Sequence, residues 1–225
     1  MTPLDFSTET ITGWQGETFP LRWRIPAPAV RKPLAALILP GLRYTPDKPL
    51  LHYTAQALTQ HGVAVAAAWV DYSRSDFQEA EPQTRLQWLL ADAEAALQAV
   101  RRRAGVKQVV LVGKSIGTLT MGALWGMGAL GDLAASIWFT PLLAFPAVQK
   151  AARNADRPAL FVASKADPSH NPEGWQAVEA NPTAQALLLP RGDHSLENPA
   201  DLADTLTLHR QVLEAVLDFL ARISR

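Results

Sequence analysis

The chain has 225 residues, 48% of them hydrophobic, which suffices for one large α/β domain over residues 1–225 and does not force a second. Its 21 basic and 21 acidic residues cancel, leaving no electrostatic footprint for nucleic acid or an anionic membrane. Cysteine is absent, which excludes disulfides, thiol chemistry and cysteine metal sites, and MTPLDFSTET lacks the basic-then-apolar order of a signal peptide. No stretch is apolar enough to span a bilayer, so a soluble cytoplasmic protein is the expectation.

In chain order, Thr10-Ile11-Thr12 and residues 19–25 read as two extended segments separated by Gly13 and Gly16. In the second, Leu21, Trp23 and Ile25 alternate with Arg22 and Arg24, the pattern of a half-exposed antiparallel strand, so an edge hairpin is expected. Pro26, Pro28 and Pro33 then mark a loop. Residues 34–39, LAALIL, form the first strand of the buried type, and they run into Pro40-Gly41-Leu42-Arg43-Tyr44. A glycine loop at the carboxyl end of a parallel strand presents backbone N–H groups to a ligand, although Pro-Gly is also a common turn. A helix over 50–61 and a strand over 63–70 follow, the strand ending in Asp71-Tyr72-Ser73-Arg74, where Asp71 suits a structural anchor. Residues 84–103 give the clearest helix, with Leu86, Leu89, Leu90, Ala93, Leu97 and Val100 on one face. Its terminal Arg101-Arg102-Arg103 suits the helix dipole better than a phosphate site.

Val109-Val110-Leu111-Val112 predicts another buried strand, followed at once by Gly113-Lys114-Ser115-Ile116-Gly117, which fits G-x-S-x-G, and then by a helical segment. A serine at so sharp a turn needs neighbours without side chains, which Gly113 and Gly117 supply. Gly122, Gly126 and Gly128 would let the following helix lie close to the sheet. The same residues fail as a phosphate-binding loop, because Gln108 stands where that motif requires its first glycine. Further strands are expected at 135–139, 159–163 and 184–189. Only a short segment, 142–157, separates the first two, which leaves no room for a cap domain. The last two deliver Asp167 and then Gly192-Asp193-His194-Ser195 to the sheet's carboxyl edge, and an amphipathic helix over 199–223 closes the chain.

A serine hydroxyl becomes a useful nucleophile when a histidine takes its proton and a carboxylate fixes that histidine's tautomer. The chain order Ser115, Asp167, His194, together with the elbow and the Pro40-Gly41 loop, resembles the α/β-hydrolase family. The resemblance runs from about Leu34 onward. It implies a mostly parallel sheet with helices on both faces, Ser115 as nucleophile, His194 as general base and acid, and Asp167 as its orienter. It further implies an oxyanion hole from the backbone N–H groups of Ile116 and Leu42, a substrate region at Gly41, Arg43 and Lys114, and no metal or cofactor. The chain departs from many members in having Pro40 before the loop glycine instead of histidine. Glu173 is the fallback acid. Asp193, adjacent to His194, is poorly placed to orient it. Lys114 is expected to line the entrance and attract an anionic substrate, or else to lie on the surface.

The expected activity is cleavage of a small-molecule carboxylic ester or thioester through an acyl-enzyme. Acyl transfer or peptide cleavage on the same fold, and a non-catalytic scaffold, are the competing readings. Trp69, Trp125, Trp138 and Trp175 are either pocket walls or core. Oligomeric state is left open by the sequence.

Overall fold

The computed structural model describes residues 4–103 and 105–223; the N-terminal reading that rested on Met1 to Pro3 lies outside them. Eight strands form one sheet in the order β1-β2-β4-β3-β5-β6-β7-β8. β1 (Leu4–Thr12) and β2 (Thr18–Pro26) make the expected hairpin at one edge, and β2 also runs antiparallel to β4 (Ala64–Ala68). From β4 onward the sheet is parallel, through β3 (Leu34–Leu39), β5 (Gln108–Lys114), β6 (Leu133–Phe139), β7 (Ala159–Ser164) and β8 (Ala184–Leu189).

Buried on both faces, the central strands sort their side chains with a period of two. Ala35, Leu37, Val109 and Leu111 pack toward α3 (Pro82–Arg102), α4 (Ile116–Gly126), α5 (Pro146–Asn154) and α6 (Pro172–Glu179). Ala36, Ile38, Val110 and Val112 pack toward α1 (Pro49–Gln60) and α7 (Leu202–Ile223). The short helices α2 (Ser75–Glu79), α5 and α6 escape sequence detection because five to nine residues barely complete the period that reveals an amphipathic helix. Local chemistry explains one of them: the Asn171 side chain caps α6 by accepting from the Gly174 amide at 2.6 Å, and Pro172 opens its first turn. Between β6 and β7 the chain holds α5 and no inserted cap domain.

Strand order decides where a site can form. β3 lies between β4 and β5, so the connection from β3 leaves toward one edge while the connection from β5 leaves toward the other. A crevice opens between two such loops at the carboxyl ends of the strands. Here it separates the loop after β3, Pro40-Gly41-Leu42, from the turn after β5 that carries Ser115.

The glycines after Ser115 act differently from expectation. A side chain at Gly122 would strike the backbone of Val148 at 2.9 Å, so this glycine brings α4 close to α5 and not to the sheet, while Gly126 and Gly128 face open space. Arg101, expected at a solvated helix end, forms an ion pair with Asp132 and donates to the Ala129 carbonyl at 2.7 Å, tying α3 to the turn before β6. Trp138 and Trp175 are core residues. Among the described residues no helix is long and apolar enough to cross a membrane.

Candidate active site

Ser115 joins β5 to α4 with φ 54° and ψ −116°, a conformation that costs a non-glycine residue about 1–3 kcal/mol. Several contacts hold it there. Its amide donates to the Phe139 carbonyl at 3.1 Å, and its carbonyl accepts from the Thr118 amide at 2.8 Å and the Thr118 hydroxyl at 2.6 Å. The turn also requires backbone contact on both sides. A Cβ at Gly117 would stand 2.6 Å from the Leu39 carbonyl oxygen, and one at Gly113 would stand 2.9 Å from the backbone of Gly117. Neither backbone can yield, so the two glycines of the motif are steric necessities.

Strands β5, β7 and β8 bring three side chains together at their carboxyl ends. His194 Nδ1 lies 2.8 Å from Asp167 Oδ2, and His194 Nε2 lies 2.8 Å from Ser115 Oγ. An ionised carboxylate only accepts, so the proton of a neutral imidazole sits on Nδ1, and Nε2 is left to accept from the serine hydroxyl. The Asp167 side chain is almost fully buried, whereas that of His194 is 34% exposed and faces the crevice. Burial works against the Asp167 carboxylate, yet the bonds from His194 and from the Ser169 amide outweigh it and hold its pKa below the ordinary carboxylate range. Glu173, the fallback acid, lies on the exposed first turn of α6, and the His194 ring meets Asp167 instead.

A cavity of about 340 Å³ opens over Ser115, lined by Gly41, Leu42, Arg43, Tyr44, Lys114, Ile116, His194 and Ser195. Gly41 brings its loop within van der Waals distance of Ser115: a Cβ there would lie 3.5 Å from the serine Cβ. The Ile116 amide belongs to the first turn of α4, where N–H groups have no intrahelical partner, and among the described residues the Leu42 amide also lacks one. Arg43 is exposed at the mouth. Behind Leu42 and Ile116 stands an aromatic group, Tyr72, Phe77 and Trp88, from the β4–α3 connection and α3. Its members lie far from the elbow in sequence, and no local pattern announced them.

No family model matches the sequence, and no curated protein matches it. Solved structures do. The chain is similar to a lidless α/β serine hydrolase from Xanthomonas campestris, with 18% identity over 96% of this chain and 95% of that one and a TM-score of 0.68. It is also similar to Est1E from Butyrivibrio proteoclasticus, solved with ferulic acid bound, at 14% identity, 94% and 98% coverage and a TM-score of 0.73. An esterase from Pyrococcus furiosus matches at 12% identity, 97% and 93% coverage and a TM-score of 0.70. The fold is that of an α/β-hydrolase.

On this α/β-hydrolase scaffold, Lys114 is not where the sequence put it. It is 1% exposed, donates from Nζ to the His194 carbonyl oxygen at 2.7 Å and lies 5.1 Å from the centre of the Tyr44 ring. The reason is the pleat: Lys114 follows Val110 and Val112 on one face of β5 and so points inward. It therefore touches the cavity from within the fold and is not an exposed charge at its entrance.

Burial pushes the Lys114 amine down to about 7, against the opposing pull of Asp167, Asp193 and Glu197. The same amine in an unfolded chain titrates near 10.4. Between these values the unfolded chain holds a proton that the folded chain has shed, so stability rises with pH. Below pH 7 both states are protonated and the cost of burying the charge is complete. His52 and His61, both lowered chiefly by burial, have made their change below the ordinary histidine range, and Tyr44 and Tyr72, both raised by burial, act only above pH 10. Urea denaturation is therefore expected to give a gain of about 2 kcal/mol between pH 7 and pH 9, absent in Lys114→Met. Equal pH slopes in the two proteins would overturn this account.

Proposed function

We propose that the protein is a serine hydrolase that cleaves a small-molecule carboxylic ester or thioester through an acyl-enzyme. The observation that carries this reading is the unbroken hydrogen-bonded run from Ser115 through His194 to Asp167 at the floor of an open cavity. Structural neighbours described as esterases and serine hydrolases support it.

In the proposed reaction the Ser115 hydroxyl attacks the substrate carbonyl carbon as its proton passes to His194 Nε2. The Asp167 carboxylate stabilises the imidazolium that results, and the N–H groups of Ile116 and Leu42 receive the negative oxygen. Collapse breaks the bond to the leaving alcohol or thiol, which takes the proton from His194. Water then enters, gives a proton to Nε2 and attacks the acyl carbon; the second collapse returns that proton to Ser115 and frees the acid. The open cavity, the neutral overall charge and the exposed Arg43 suit a soluble acyl compound whose outer end reaches the cavity mouth.

A fluorophosphonate probe tests the reading directly, since it phosphonylates a serine that an adjacent base has activated. One adduct per chain, found on Ser115 by mass spectrometry, is the expected result. A folded protein that takes up no label would overturn the reading and leave a non-catalytic scaffold in its place.

A further inference from the structure

We infer that Lys114 is a positioning residue for His194, holding the main chain of that histidine in place while its imidazole exchanges partners during the reaction. The inference rests on the proposed acyl-enzyme chemistry and concerns a residue that does not touch the reacting atoms.

The loop that carries His194, residues 190–198, is fixed to α7 at its two ends, where Arg191 pairs with Asp204 and Asn198 bonds Thr205 and Asp204, and it is braced within itself between them. Asp193 Oδ1 accepts from the amides of Ser195 at 2.7 Å and Glu197 at 3.0 Å, and the Asp193 amide donates to the Glu197 carbonyl at 2.8 Å. Its ends are therefore held, and the stretch that bears His194 depends on that residue's own contacts. Two of its anchors are the bonds from the imidazole to Ser115 and Asp167, both at 2.8 Å. The Lys114 bond reaches the backbone of the same residue from the end of β5, at 2.7 Å.

The chemistry removes one of these anchors. Once Ser115 Oγ carries an acyl group it has no proton to donate, and Nε2 must release Ser115 and receive water. At that stage the imidazole retains Asp167, the main chain of His194 retains Lys114, and the loop ends retain α7. An amine donates to a carbonyl whether charged or neutral, so this anchor survives a change in its protonation. Burying an amine is costly, and an apolar residue would fill the same volume without that cost. What the amine adds is the bond to His194.

Deacylation should therefore depend on Lys114 more than acylation does. The absence of cysteine from the chain allows a selective test. Lys114→Cys is alkylated while unfolded, either with bromoethylamine, which rebuilds the lysine shape and its amine, or with propyl iodide, which rebuilds the shape alone; both products are refolded and assayed with p-nitrophenyl acetate. The aminoethyl form is expected to turn over like the wild type. The propyl form is expected to give a burst of one p-nitrophenolate per chain and then a steady rate about 10- to 100-fold lower, with KM falling alongside kcat, as a misplaced catalytic group would produce.

Equal steady rates in the two forms would overturn the inference, as would a propyl form whose burst and steady rates fall in the same proportion. Lys114→Met provides a second reading without refolding: its folded protein should lose or shift the far-downfield Nδ1–H proton signal of His194 in NMR spectra, and an unchanged signal counts against the role. A wild type that releases no p-nitrophenolate overturns the hydrolase proposal together with this one, whereas a wild type that turns over beside an unimpaired propyl form overturns only the role of Lys114.

Discussion

Replacing His194 with alanine is expected to lower kcat for ester cleavage by on the order of 10⁶-fold, the scale of loss that follows removal of the base from a cooperating triad. Ser115 Oγ is 2.8 Å from Nε2, and no other base is within hydrogen-bond reach among the described residues. Without the imidazole the hydroxyl keeps its proton until it attacks, and the leaving group departs unprotonated. KM should change little, because the cavity walls at Gly41, Leu42 and Ile116 are untouched. The measurement is steady-state hydrolysis of p-nitrophenyl esters of increasing acyl length, with thermal denaturation as a check that the variant folds. A loss of less than tenfold would mean that His194 is not the base.

Asp167→Asn should cost about 10⁴-fold in kcat while preserving almost every contact, because it reverses the tautomer of the histidine. Asp167 Oδ1 accepts from the Ser169 amide at 2.7 Å, and the carbonyl of an asparagine is drawn to that same donor. Its NH₂ group is then presented to His194 Nδ1, which must accept. The imidazole proton moves to Nε2, and the ring can no longer take one from Ser115. Asp167 is held below the ordinary carboxylate range, so in the wild type this support persists through that range and fades only as the pH falls through the lowered pKa. A retained kcat in the variant would show that Asp167 merely fills space.

Much of this arrangement was legible because parallel sheets bring the carboxyl ends of their strands to one edge. Ser115, Asp167 and His194 each follow a largely apolar run, in VVLV, ALFVA and the edge strand that ends at Leu189, and reading those runs as strands already places the three residues side by side. Side-chain direction was harder to read. Lys114 is a charged residue next to the candidate nucleophile, which suggests a surface position, yet the alternation Val110, Val112, Lys114 points it inward, and its partner is 80 residues away. Gly122 shows the same limit in a helix: the sequence reveals that something comes close, but only the tertiary packing identifies α5 as the neighbour. Tyr72, Phe77 and Trp88 gather behind the crevice through three-dimensional contact alone.

The chain spends the segment between β6 and β7 on α5, which packs against α4, and among the described residues no insertion there folds over Ser115. An acyl group bound at Ser115 would thus face bulk solvent from the moment it forms. Its fate becomes a competition among dissolved nucleophiles, with water favoured by its concentration and an added alcohol or thiol by its reactivity. Under the proposed reaction, discrimination would fall to the half of the substrate that stays attached.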